Sequence, residues 1–184
     1  EDDQTPHVSG IVVSKQTGQP IPNAVIYIGS REVYRKTNRE LQQTVTDASG
    51  QFRRNADIAG KMIGGKTKGY GFQFVEFPDR QQFANGLRIE LASGVQVTGK
   101  VVDTAGAPVT NAFVHPIVGL SYGRGGLMEG TYTDESGVYV LSDLSPMSPY
   151  WIAVTHPQYK DHYGTPPFIP ALQGTEAPTI VMEP

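Results

Sequence analysis

One pattern of residues occurs twice in this chain, and it constrains the fold before any single side chain is considered. Ser9-Gly10-Ile11-Val12-Val13, followed by Gly18-Gln19-Pro20-Ile21-Pro22-Asn23-Ala24-Val25, returns as Thr98-Gly99-Lys100-Val101-Val102, followed by Gly106-Ala107-Pro108-Val109-Thr110-Asn111-Ala112-Phe113. Thr44-Val45-Thr46-Asp47-Ala48-Ser49-Gly50 likewise returns as Thr131-Tyr132-Thr133-Asp134-Glu135-Ser136-Gly137. The offset is 89 at the first glycine, 88 at the asparagine and 87 at the aspartate. Single-residue slips of this kind belong in loops. A period of about 90 residues exceeds that of a solenoid unit, roughly 20 to 50, and matches a small domain able to bury its own core. The division expected is a tail at 1–7, a first domain at 8–93 and a second at 94–184, with Ala92-Ser93-Gly94 as the whole linker. So short a linker restricts hinge motion.

Within each unit the pattern is that of strands. Val8 to Val13 and Val95 to Val102 are rich in β-branched residues, and Gly-Pro turn signals follow both. Second strands are predicted at Ala24 to Ile28 and Ala112 to Val118. Two hairpins follow, Leu41 to Arg54 around Asp47-Ala48-Ser49-Gly50 and Gly130 to Leu141 around Asp134-Glu135-Ser136-Gly137. In each the aspartate can accept backbone N–H bonds as an Asx-turn and the glycine can supply a positive φ. Later strands are predicted at Lys61 to Gly65, Tyr150 to Thr155, Leu87 to Leu91 and Thr179 to Met182. Gly 21 and Pro 14 in 184 residues agree with a turn-rich chain. The fold class that follows is all-β, with two tandem immunoglobulin-like antiparallel β-sandwiches.

These motifs resemble the carboxypeptidase regulatory-like domain: Ser/Thr-Gly-x-Val-Val, then Gly-x-Pro-x-x-Asn-Ala, then Thr-Asp-x-Ser-Gly-x-Phe/Tyr. The resemblance covers both units and implies a transthyretin-like sandwich. It further implies an accessory or spacer without catalytic residues of its own, of the sort found in secreted, surface and outer-membrane proteins of bacteria. An extracytoplasmic place is therefore expected. No apolar run approaches the roughly 20 residues of a membrane-spanning helix. The acidic opening Glu1-Asp2-Asp3-Gln4 could be what remains after a leader is removed. Cysteine is absent, so neither disulfides nor thiolate metal sites can form.

Charge is distributed unequally. Residues 1–94 hold twelve Lys and Arg against ten Asp and Glu, and residues 95–184 hold three against eight. Arg31, Arg35, Lys36 and Arg39 fall within nine residues and are interleaved with Tyr34. An acidic partner could bind there, although a sequence pI of about 5.8 argues against nucleic acid. At the corresponding position the second unit carries the glycine-rich Gly119 to Met128, with Tyr122 and Arg124. These two loops are the candidate surfaces for a protein partner or parent assembly.

Candidates for chemistry are few. No two of the four histidines have the i, i+2 or i, i+4 spacing that places a metal pair on one face of a strand or helix. The densest cluster is His156, Tyr159, Asp161, His162 and Tyr163. Intradiol dioxygenases, built on a related sandwich, hold iron with two Tyr and two His, but their closely spaced His pair is missing here. Isopeptide-forming adhesin domains join a first-strand Lys to an Asn or Asp near the last strand. Lys100 lacks such a mate and Lys15 lies at a predicted turn. Ser49 and Ser136 are turn residues with no base at a recognisable spacing. Neither catalysis nor a cofactor is expected. The alternative to a protein-binding module is sugar binding through Trp151, His162, Tyr163 and Phe168. A second alternative is edge-strand pairing into an oligomer or filament. Gly64 and Gly65 suggest a bulge or a close approach in the fifth strand. The aromatics of Gly69 to Phe77 predict one further strand with its ring side toward the core.

Overall fold

The computed structural model describes residues 7–30, 41–56, 61–76, 86–118, 129–163, 169–170 and 175–184. Among them there are strands and no helix. The first repeat contains β1 (His7–Ser14), β2 (Val25–Ser30), β3 (Gln42–Val45), β4 (Gln51–Asn55), β5 (Lys61–Lys66), β6 (Gln73–Glu76) and β7 (Leu87–Leu91). The second contains β8 (Val95–Asp103), β9 (Phe113–Val118), β10 (Thr131–Tyr132), β11 (Val138–Leu144), β12 (Tyr150–His156), β13 (Tyr159–Tyr163), β14 (Thr175–Glu176) and β15 (Ile180–Met182). In repeat one the sheets run β4-β1-β7 and β3-β2-β5-β6. In repeat two they run β11-β8-β14, with β15 also on β8, and β10-β9-β12-β13. The strand order is thus duplicated along with the motifs.

Pairing is antiparallel except where each repeat closes. β7 lies parallel to β1, and β14 and β15 lie parallel to β8. When the first and last strands run in the same direction, the chain enters a repeat at one end and leaves it at the other.

Period-2 alternation builds the cores. β7 buries Leu87, Ile89 and Leu91 while Arg88 and Glu90 face water, and β8 buries Val95, Val97, Gly99 and Val101. Val8, Val12, Ile26, Ile28, Ile63 and Ile89, drawn from both sheets, form one cluster. Val97, Val101, Val114, Tyr139, Ile152 and Ile180 form its counterpart.

The motif residues are the devices that join the sheets. The Thr46 hydroxyl accepts the Ala24 N–H at 2.8 Å and donates to the Ile21 carbonyl at 2.8 Å. Thr133 does the same with Ala112 at 2.9 Å and Val109 at 2.7 Å. Both threonines are buried, so each satisfies two backbone groups that water cannot reach. Asn23 and Asn111 take positive φ values of 58° and 55°, which asparagine tolerates better than most side chains. Asp47 Oδ1 accepts the Ser49 and Gln51 N–H groups at 2.8 and 2.9 Å, and Asp134 those of Ser136 and Val138 at the same distances. Gly50 and Gly137 complete these Asx-turns at φ 73°.

Three details differ from the sequence reading. β5 pairs with β2 through six consecutive residues without a bulge. Phe72 and Phe74 occupy the empty side of Gly64, and Ile89 and Leu91 that of Gly65. The additional strand forms, but Phe72 and Phe74 turn away from the main core and join Leu41, Met62 and Tyr27 in a separate buried cluster; of the described residues in this segment only Tyr70 and Val75 pack on the main core, and Phe77 lies outside the described residues. Finally, β13 and β14 form where loops were expected. β13 becomes a strand because the Pro157-Gln158 turn folds it back onto the open edge of β12, a hairpin that its polar and aromatic residues do not announce by alternation.

Candidate functional site

Arg31, Tyr34, Arg35, Lys36 and Arg39 lie outside the described residues, as do Tyr122, Arg124 and Phe168. Their anchors are described. The basic segment joins β2 to β3 and the glycine-rich segment joins β9 to β10, so both leave the same corner of equivalent sheets.

Trp151, His162 and Tyr163 sit in the sheet β10-β9-β12-β13. Trp151 is half-buried opposite Ile117; Ala153, two residues on, stands between His115 and Tyr163. Alternation therefore places Trp151 and Tyr163 on the outer face. His162 is opposite the core residue Val154 and faces the other way. The structure thus brings two of these three residues to one face and separates the third. Tyr163 is half exposed and its hydroxyl donates to Asp161 Oδ2 at 3.1 Å.

The His156 cluster is held together by local geometry. His156 Nδ1 accepts the Gln158 N–H at 3.2 Å, and its ring meets Tyr159 edge-on at 5.1 Å. His162 Nε2 is buried without a hydrogen-bond partner, and burial lowers its pKa. Among the described residues no three His, Asp or Glu side chains converge on a point that could hold a metal ion. Lys15, weighed as one end of an isopeptide, is exposed; its ammonium lies 3.1 Å from Met147 Sδ.

That last contact belongs to a junction between the repeats that the motifs do not reveal. The linker is tied to repeat one: the Gly71 N–H donates to Ala92 O at 2.9 Å, and the Gly94 N–H to Gly69 O at 2.8 Å. Tyr70 and Ser93 form an antiparallel bridge. A Cβ placed on Gly71 would fall inside the Ser145 backbone, and one on Gly94 would lie 2.7 Å from Asp143 Cα. Lys66 Nζ meets Glu129 Oε1 at 3.1 Å across a cleft of about 210 Å³ that Phe72 also lines. Burial, and behind it the Glu129 carboxylate, raises the pKa of Tyr27. The ion pair itself is worth little, since the Glu129 side chain is 90% exposed. Backbone apposition of Gly71 on Ser145 does more to set the angle.

The outer face of repeat two carries a second feature missed in the sequence. Phe113 and Tyr132 are cross-strand neighbours, their rings 5.1 Å apart, beside a cleft of about 410 Å³ that Asn111, Thr155, His156 and Asp161 help to line. In repeat one the same register positions hold Val25 and Val45. That substitution of two aromatics for two valines was the available signal. His115, stacked on Phe113 at 5.6 Å, is only 7% exposed and neither ring nitrogen has a hydrogen-bond partner; burial lowers its pKa. A further cleft of about 730 Å³ lies against the β4-β1-β7 sheet and is lined by Ser9, Gln51, Arg53 and Arg88.

Residues 96–183 match the family model described as carboxypeptidase regulatory-like domain. No curated protein matches the chain. Among solved structures, the Bacillus anthracis TIE protein is 17% identical with a TM-score of 0.42, over 97% of this chain and 34% of that one. A double mutant of the shaft pilin SpaA from Lactobacillus rhamnosus GG is 11% identical at 0.39, over 98% of each chain. A streptococcal ancillary pilin is 12% identical at 0.36, over 100% of this chain and 63% of that one.

Proposed function

We propose that the chain is a non-enzymatic extracytoplasmic module that spaces or assembles proteins. In this reading 8–93 and 94–184 are two domains of the regulatory-like kind, the first extending the family match by its identical strand order and its Thr46, Asn23 and Asp47 devices. The observation that carries it is the junction: parallel closing strands put the two ends of each repeat far apart, and Gly71 on Ser145 holds one repeat at the end of the other. Such a chain sets a distance and an angle. The loops with Arg31, Tyr34, Arg35, Lys36 and Arg39, and with Tyr122 and Arg124, leave one corner of each sandwich and are the proposed partner contacts. Small-angle scattering tests the spacer. A profile fitted by one interrepeat orientation supports it; a profile that requires a broad ensemble of orientations sinks it.

Sugar binding is the second reading, favoured by Trp151 and Tyr163 on one outer face. A glycan array probed with the protein and with Trp151→Ala separates the two: sugar binding lost in the variant establishes this reading, and no binding removes it.

A further inference from the structure

The end of repeat two is built like the end of repeat one, where repeat two docks. In repeat one the Gly71 N–H donates to Ala92 O at 2.9 Å, pinning the chain as it leaves. In repeat two the Lys160 N–H donates to Glu183 O at 2.8 Å. The two bonds correspond: Lys160 stands one residue after Tyr159, as Gly71 stands after Tyr70, and Glu183 follows Met182 as Ala92 follows Leu91. Strand register extends the match. Lys66 pairs with Val25 and Thr155 with Phe113, so Thr155 takes the place of Lys66. Gln73 lies opposite Gly65 and His162 opposite Val154, so Asp161 takes the place of Phe72.

The surface that receives Lys66 and Phe72 includes Glu129, Val140 and Leu141. Its counterpart in repeat one can be read the same way. Arg53 and Arg54 pair with Ser9 and Val8 as Val140 and Leu141 pair with Thr98 and Val97. Gln42 lies three residues before Val45 as Glu129 lies three before Tyr132. All three of Gln42, Arg53 and Arg54 are exposed, as is Asp161.

We propose that Thr155 and Asp161 at the end of repeat two dock Gln42, Arg53 and Arg54 at the start of repeat one in a second copy, through the side-chain positions of the internal junction but without its close backbone apposition, because Lys160 stands where Gly71 does. The chemistry is complementary. Where the internal junction sets Lys66 against Glu129 and Phe72 beside Val140, the junction between copies sets Thr155 against the Gln42 amide and the Asp161 carboxylate against two guanidinium groups. The wider charge balance, basic in repeat one and acidic in repeat two, acts in the same direction. Among the described residues, the cleft of about 410 Å³ beside Thr155 and Asp161 is rimmed by Tyr132, which is 64% exposed. Because the two surfaces differ, the contact is heterologous and propagates into open chains. The proposal rests on the assembly reading and names its partner.

The absence of cysteine makes a direct test possible. Asp161→Cys with Arg53→Cys, oxidised at rising protein concentration, should give a ladder of dimers, trimers and longer species, whereas either single variant, which places no second thiol across the contact, should stay monomeric. Sedimentation velocity of the unaltered protein should show a coefficient that climbs with concentration at low salt and falls back at high salt. Asp161→Arg should weaken association at least tenfold, and adding Arg53→Asp should restore it. A double-cysteine variant that makes nothing longer than a dimer, or a protein that stays monomeric at every concentration in low salt, overturns the proposal. The single-orientation scattering profile of a monomer would leave the spacer reading standing, so the two can fail separately.

Discussion

Gly71 and Ser145 meet backbone to backbone, with no room for a side chain between them. Gly71→Ala must therefore push repeat two away from repeat one, at a cost of about 1–3 kcal/mol typical of overpacking. Each sandwich keeps its own core, so the expected result is uncoupling: calorimetry should resolve two transitions where the parent protein gives one. A single unchanged transition would show that the junction does not couple the repeats.

Thr133 holds Ala112 and Val109 together in the core of repeat two. Thr133→Val keeps the shape but leaves a buried N–H and a buried carbonyl without partners, each worth about 1–3 kcal/mol. Urea denaturation should show a loss of that order, and Thr133→Ser, which restores the hydroxyl, should recover most of it.

Tyr139 fills the space that Gly99 leaves by having no side chain, and its hydroxyl is buried without a hydrogen-bond partner. Desolvation raises its pKa accordingly. Repeat one places Phe52 at the equivalent position, opposite Gly10 as Tyr139 is opposite Gly99. Tyr139→Phe should be neutral or stabilising by up to about 1 kcal/mol, because it removes an unsatisfied polar group without changing the ring. The contrast is Tyr150, whose pKa burial pushes up to about 12 while its oxygen accepts the Ser145 N–H at 2.8 Å, a bond that acts the other way. Tyr150→Phe should destabilise. A loss in the first variant as large as in the second would show that Tyr139 has a partner.

His115 makes stability depend on pH. Burial lowers its folded pKa below the ordinary 6.5, so as pH falls the unfolded chain takes up the proton first. Stability is therefore unaffected above about pH 6.5, declines as pH falls from there toward the folded value, and is level beneath it. His162, lowered by burial too, acts in the same direction. Thermal melts between pH 7.5 and 5 should show His115→Phe declining less steeply than the parent protein. Equal slopes would rule out His115 as the source.

Much of the fold was legible because its signals are local. β7 shows alternation in five residues, and the Asp47 and Asp134 turns close within four. β14 was not legible, since it is a strand only by virtue of an edge presented by β8, far away in the chain. β13 folds back on β12 across Pro157-Gln158, but its polar and aromatic residues lack the alternation that would mark a strand. The faces of Phe72 and Phe74 were misjudged for a related reason. Alternation assigns a set of residues to one face without saying which face is the core, and here Gly64 opened the outer one. Of the site residues, Trp151 and Tyr163 were found by type. Asp161 was found only as a member of the His156 cluster and Thr155 not at all, because their place at the end of the repeat comes from strand register alone.

The repeated motifs alone determined that there are two sandwiches of one kind, since each motif is a turn or core device whose chemistry acts over a few residues. Only the tertiary structure decided how they are joined. The parallel closing of β7 on β1 sends the chain out at the far end, and Gly71 against Ser145 holds the second sandwich there. Both depend on groups distant in sequence coming within van der Waals contact, which no local pattern encodes.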